Sequence, residues 1–237
     1  MVKAGLSRAG PFGILFALAI IVVIVMGNAY VYFAFRSNPN LYSSLVDNSA
    51  HFPMGVVTAI FAPDAEVLGG SQNFANWCVG FAFTLSILFL LFLMTSLRVS
   101  LRDIGLRSVF YGLMLLVVPI ASNAFTLVTG QSSFGPSTVT FTSLGLVLGF
   151  GILNVGVWID RSRPGFQDQR FREYISTIVS LAIVFALVYL PLVFSSSFFD
   201  TASSYNVDWM AYVFCFVFGI VGPFWYYTTR EGSLTVS

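Results

Sequence analysis

Gly135-Pro136-Ser137-Thr138-Val139-Thr140-Phe141-Thr142-Ser143-Leu144-Gly145-Leu146-Val147-Leu148-Gly149 is the stretch whose reading decides the fold. A proline precedes a serine, and an apolar run with regularly spaced glycines follows. Proline suits the opening of a helix, and small residues at helical spacing suit one packed closely against another. Ser137 therefore sits at the lip of a helix that carries it to the edge of an apolar interior.

The rest of the chain places that helix in a membrane. Hydrophobic residues make up 57% of the chain and charged residues 9%, with a mean hydropathy of +0.86, a composition that cannot furnish a soluble surface. Crossing about 30 Å of hydrocarbon takes roughly 20 apolar residues. Such stretches lie at about 12–35, 76–97, 109–128, 137–159, 174–194 and 207–227. The expected fold is all-α: a single polytopic domain over 1–237 with six transmembrane helices. The first stretch exceeds the usual apolar core of a secretory leader and lacks a clear small-residue cleavage site, so it reads as a retained span.

Charge orients the spans. Lys3 and Arg8, then Arg98, Arg102 and Arg107, then Arg161, Arg163, Arg170 and Arg172, and finally Arg230 fall on one side. Asp47, Asp64, Glu66, Asp200 and Asp208 fall on the other, with Arg36. Since cytoplasmic loops are enriched in Lys and Arg, both termini are expected in the cytoplasm and the protein in the cell membrane. Asp160, Asp168 and Glu173 share the longest basic loop and the net charge is only +1, so these arginines read as topology determinants and no nucleic-acid partner is expected.

The first external loop, about 36–75, is the longest, and within it Phe52 to Pro63 is apolar but too short to span. A short amphipathic or re-entrant element in the outer leaflet is expected there. Polar residues within spans are few, Asn28, Asn76, Asn123 and Asn154 among them, and none of the deep ones is ionisable, which disfavours a proton pump, an ion-coupled transporter or a voltage sensor. With His51 in a loop and Cys78 and Cys215 inside spans, no metal or other cofactor is expected.

Small residues are patterned more sharply. Thr138, Thr142, Gly145 and Gly149 recur at steps of four, three and four on the fourth span. Ala211, Cys215, Gly219 and Gly222 make a similar stripe on the sixth. The two helices are expected to touch along these stripes.

Gly135-Pro136-Ser137 with Gly145 resembles the Gly-x-Ser and following glycine of the fourth helix of rhomboid proteases. Gln72-Asn73-Phe74-Ala75-Asn76 is similar to the His-x-x-x-Asn that heads their second helix, with Gln72 in the histidine's place. Val57-Thr58-Ala59-Ile60-Phe61 resembles the stretch leading into that helix. Ala211-Tyr212-Val213-Phe214-Cys215 through Gly219 resembles the Ala-His-x-x-Gly-x-x-x-Gly of the last helix, with Tyr212 for histidine and Cys215 for the first glycine. Gly130-Gln131-Ser132 offers a competing frame, but it puts Thr140 where the later glycine belongs. The resemblance implies a rhomboid-like bundle with a long membrane-associated first loop and a site at Ser137, Tyr212, Asn76 and Gln72.

It also implies that proteolysis is lost. A serine needs an adjacent base to become a nucleophile. A phenol, with an ordinary pKa of about 10, does not serve at neutral pH. Lys3 lies at the wrong end of the chain and His51 would have to fold over the site. Pro136 and Gln72 also alter the neighbourhood of the oxyanion hole. A hydrogen bond from Ser137 to Tyr212 would turn the old site into a structural staple.

The expected function, by that resemblance, is non-catalytic: binding or scaffolding other membrane proteins. The alternative is a structural accessory subunit of a larger membrane complex, suggested by 26 phenylalanines and by Trp209, Trp225, Tyr226 and Tyr227 placed like interfacial anchors. An active intramembrane serine protease using Ser137 would need another base. A small-solute channel or transporter would need a continuous polar path, for which the spaced asparagines are the only hint.

Overall fold

In the computed structural model the described residues are 9–37, 54–61, 71–96, 100–128, 136–161 and 209–234. They form an all-α bundle of six α-helices: α1 (Ala9–Ser37), α2 (Met54–Thr58), α3 (Ser71–Ser96), α4 (Leu101–Val128), α5 (Ser137–Arg161) and α6 (Trp209–Leu234). A 3-10 turn, Ala59–Phe61, continues α2. Four stretches, Gly10–Val31, Val79–Ser96, Leu101–Thr126 and Met210–Thr229, are long and apolar enough to cross a membrane and suggest an integral membrane protein. The expected fifth span, 174–194, lies outside the described residues.

α5 is the central helix. From Thr138 to Phe150 it is buried apart from half-buried Thr140, Phe141 and Leu148, as befits a helix apolar on every side. It packs most extensively on α6, then on α3 and α4. α1 is peripheral and lies along α4. Its buried positions, Gly10, Gly13, Ala17, Ile21, Ile24, Asn28 and Val31, form one stripe at steps of three and four, while Phe12, Leu15, Val22, Val23, Met26, Tyr30 and Phe33 are exposed.

Glycine makes the α1–α4 contact possible. A Cβ on Gly13 would fall on the backbone of Gly105, and one on Gly10 on Leu101. On the α4 side the seam follows Gly105, Ser108 and Gly112, all buried at steps of three and four, and a Cβ on Gly112 would lie 3.3 Å from Ala17 Cα.

Two boundaries move from their expected places. α3 begins at Ser71 rather than near residue 76, so the last residues of the expected first loop, 71–75, are helical. α4 begins at Leu101 rather than residue 109 because Ser100 caps it. The Asp103 amide donates to Ser100 Oγ at 3.2 Å, Ser100 Oγ donates to the Asp103 carboxylate, and the Ile104 amide donates to the Ser100 carbonyl at 3.0 Å. Ser-x-x-Asp is a capping-box pattern that was present in the sequence. Arg102 and Arg107, expected in a loop, therefore belong to the first turns of α4. The Arg107 guanidinium carbon lies 5.6 Å from the centre of the Phe150 ring, a distance at which a cation is attracted to the ring face.

The half of the bundle remote from Ser137 is filled by aromatics. Tyr111 is fully buried, with its ring 4.7 Å from Phe92 and 5.5 Å from Phe89. Phe150 meets Phe92 at 5.3 Å edge-on, and Phe110 meets Tyr226 at 4.9 Å. The Tyr111 hydroxyl shares a hydrogen bond with Ser143 Oγ, which gives a buried phenol on α4 and a buried hydroxyl on α5 a partner each.

Candidate functional site

The site grows out of the first turn of α5. The Pro136 carbonyl accepts from the Thr140 amide at 3.1 Å and from Thr140 Oγ1 at 3.3 Å, so the helix starts immediately after the proline. Ser137 is its first residue. Four residues on, Phe141 lies on the same face, and eight residues on so does Gly145.

α6 meets this face through its own glycine. A Cβ on Gly145 would collide with the Phe216 carbonyl and come within 3.0 Å of Gly219 Cα and of the Ile220 nitrogen. A Cβ on Gly219 would lie 2.7 Å from the Thr142 carbonyl and 3.0 Å from Gly145 Cα. The two backbones are in direct contact there. Gly149 continues the seam against Ile220 and Pro223. Thr138 and Thr142 are both buried, and Thr142 Oγ1 donates back to the Thr138 carbonyl at 2.8 Å, so the hydroxyl is satisfied within its own helix. Ala211 and Cys215 are buried on α6.

Gly222 departs from the stripe. It faces Met114 and Phe110 of α4, where a Cβ would lie 2.6 Å from Met114 Cε. Gly222 lies about 60° around the helix from Gly219, and at its level that side of α6 meets α4. At that level Ile220 and Pro223 meet α5.

With the helices so close, their first turns come together. Ser137 Oγ donates to the Tyr212 hydroxyl at 2.9 Å, and both residues are half-buried. The Tyr212 ring lies over Phe141, centres 5.0 Å apart and planes 12° apart. Phe141 thus fixes the plane of the phenol whose oxygen Ser137 reaches. Ser122 Oγ of α4 donates a long 3.4 Å hydrogen bond to the carbonyl of Ala211, the residue before Tyr212.

The Ser137 to Tyr212 hydrogen bond joins the heads of α5 and α6. Gln72 and Asn76 lie on the opening turns of α3, and their side chains are outside the described residues, as is His51. Among the described residues no cluster of His, Cys, Asp and Glu could hold a metal ion.

Of the asparagines within the expected spans, Asn28 and Asn123 have described side chains, and each reaches a distant backbone carbonyl. Asn123, fully buried on α4, donates from Nδ2 to the Val56 carbonyl at 3.0 Å. Asn28, 1% exposed on α1, donates from Nδ2 to the Phe61 carbonyl at 3.2 Å. Both hold the short element of the first loop, which the sequence placed correctly as a piece too short to span. Its faces divide: Gly55, Val56, Ala59 and Ile60 are buried, while Met54 and Val57 are exposed. A buried amide demands a partner, and that demand was the signal in the sequence that could have linked these asparagines to a nearby stretch of backbone. Compared with known proteins, the chain matches no family model, no curated protein and no solved structure.

Proposed function

We propose that this protein is a non-catalytic, rhomboid-like integral membrane protein that binds or scaffolds other membrane proteins. The observation that carries the reading is the 2.9 Å Ser137–Tyr212 hydrogen bond. It joins the two positions at which the residue pattern resembles the rhomboid serine and histidine, and it joins them at the heads of helices that pack backbone to backbone. The central place of α5 and the short element of the first loop are also in keeping with that resemblance. In this reading α5 and residues 174–194 also cross the membrane, which makes six spans, both termini are cytoplasmic and the protein resides in the cell membrane.

With Tyr212 rather than a histidine hydrogen-bonded to Ser137, binding replaces cleavage in this reading. The exposed side chains of α6, among them Val213, Val217, Val221 and Trp225, and those of α3, among them Phe83, Leu90 and Met94, offer apolar surface to lipid or to the transmembrane helices of clients. A structural accessory subunit would use the same surfaces. The two roles separate on purification: a subunit recovers its partners in a fixed ratio, whereas a client-binding protein recovers many in substoichiometric amounts.

The test of the site is labelling of the membrane-embedded protein with a fluorophosphonate serine probe. The wild type is expected to stay unlabelled, Tyr212→His to gain labelling, and Ser137→Ala added to Tyr212→His to lose it again. Labelling of the wild type that vanishes in Ser137→Ala would mean an active serine hydrolase. Silence of Tyr212→His in a correctly folded protein would remove the support for a degenerate protease site.

A further inference from the structure

The Met54–Phe61 element is held to the bundle differently from every other described helix. α1, α3, α4, α5 and α6 pack along their lengths, whereas among the described residues this element packs chiefly on α1 and α4, at Gly27 and Asn28 of the one and Asn123 of the other. Within it, Thr58 Oγ1 donates to the Met54 carbonyl at 3.0 Å. Two side-chain amides reach it from different helices: Asn123 of α4 holds the Val56 carbonyl in its first turn, and Asn28 of α1 holds the Phe61 carbonyl at its end. Ile60, 1% exposed, enters the hydrophobic core beneath it, and the Phe61 ring covers Gly27 so closely that a Cβ there would lie 2.5 Å from the ring.

We propose that this element is a latched strap: Asn28 and Asn123 hold its backbone carbonyls across the ends of α1 and α4, and it lifts as a unit, leaving the bundle folded, when a latch is released. The physical grounds are the placement of its contacts. The α5–α6 and α1–α4 seams that hold the bundle run along the helices and do not pass through the strap, so opening it breaks the hydrogen bonds from the two asparagine amides and uncovers the apolar face of one short element while both seams stay closed. Segments with few contacts to the rest of a fold open locally, below the free energy of global unfolding. Asparagine is also a costly residue in an apolar helix unless its amide is bonded, and leucine would fill the same space against a fixed element. The turn of α4 that carries Asn123 also carries Ser122, which reaches the Ala211 carbonyl next to Tyr212. One turn of helix thus touches both the strap and the head of α6. The proposal does not depend on the rhomboid-like reading, because its test uses no activity.

The test is hydrogen exchange followed by mass spectrometry on the full chain in phosphatidylcholine nanodiscs. In the wild type, amides of residues 54–61 are expected to exchange at least about tenfold faster than those of residues 110–118 in α4, the mark of a local opening. In Asn123→Leu and in Asn28→Leu, exchange at 54–61 is expected to rise by about tenfold or more, the scale set by one lost hydrogen bond, with 110–118 and 139–150 unchanged. Equal acceleration in the strap and the core helices would overturn the proposal, since the amides would then support the whole bundle. No change at 54–61 in either variant would overturn it as well. Should the leucine variants fail to fold, the wild-type comparison decides alone: exchange at 54–61 no faster than at 110–118 would mean that the element does not open by itself.

Discussion

Replacing Gly145 by alanine adds one methyl group at the point where α5 and α6 touch, and the structure says what it would meet. Its Cβ would stand 3.0 Å from Gly219 Cα and 3.0 Å from the Ile220 nitrogen, with the Phe216 carbonyl closer still. Ordinary contact between carbon atoms is about 3.5–4.0 Å, so the helices must separate by roughly 0.5–1 Å. All three obstacles are backbone atoms, and no side-chain rotation can relieve them. Overpacking typically costs about 1–3 kcal/mol, and a clash that only whole-helix movement can relieve belongs at the upper end, about 3 kcal/mol. That lowers the ratio of folded to unfolded protein by about a hundredfold. The assay is unfolding of the full chain in mixed micelles with increasing SDS, followed by tryptophan fluorescence. Gly151→Ala and Gly80→Ala are the controls, because nothing lies within 4 Å of a Cβ at either position, and their expected effect runs from neutral to about 1 kcal/mol stabilising. Gly145→Ala with Gly219→Ala should cost less than the sum of the two, since helices parted by one methyl already accommodate part of the other. A cost for Gly145→Ala no larger than for Gly151→Ala would refute the backbone contact.

Other outcomes follow from single interactions. Ser137→Ala and Tyr212→Phe should each cost about 0.5–1 kcal/mol, and a double-mutant cycle should return a coupling of about 0.6 kcal/mol, the size usual for hydrogen bonds between membrane helices; strictly additive effects would mean that the pair contributes nothing to stability. Ser100→Ala removes the cap of α4 and should cost about 1 kcal/mol in the same unfolding assay, and Ser100→Asp, which restores an acceptor, should recover most of it. Loss in Ser100→Ala with no recovery in Ser100→Asp would point to a role other than capping.

Much of the architecture was readable from residue types. The long apolar runs around Val22, Leu88, Val118 and Phe216 could only be helices that bury or immerse their surfaces, since no soluble surface can be made from them. The steps of Thr138, Thr142, Gly145 and Gly149 placed small residues on one face because helical geometry leaves no other arrangement. The site was legible to the extent that Ser137 and Tyr212 each head a helix. Gly222 packs on α4 rather than on α5, and the spacing of small residues carries no information on which neighbour a face meets. The start of α4 was misplaced because charge suggested a loop at Arg102 and Arg107, whereas the Ser100-Asp103 cap and the apolar stem of arginine let the helix begin earlier.

The sequence by itself determined the helical character, the apolar lengths and the faces that carry glycine, because these depend on the intrinsic geometry and solvation of a local segment. The tertiary structure alone decided which faces meet. It set the Gly13–Gly105 approach of α1 and α4, the reach of Asn28 and Asn123 to carbonyls 33 and 67 residues away, the burial of the Tyr111–Ser143 pair and the 2.9 Å bond between Ser137 and Tyr212. A hydrogen bond between distant residues depends on how two rigid helices are set against each other, and that setting is the outcome of packing the whole bundle at once.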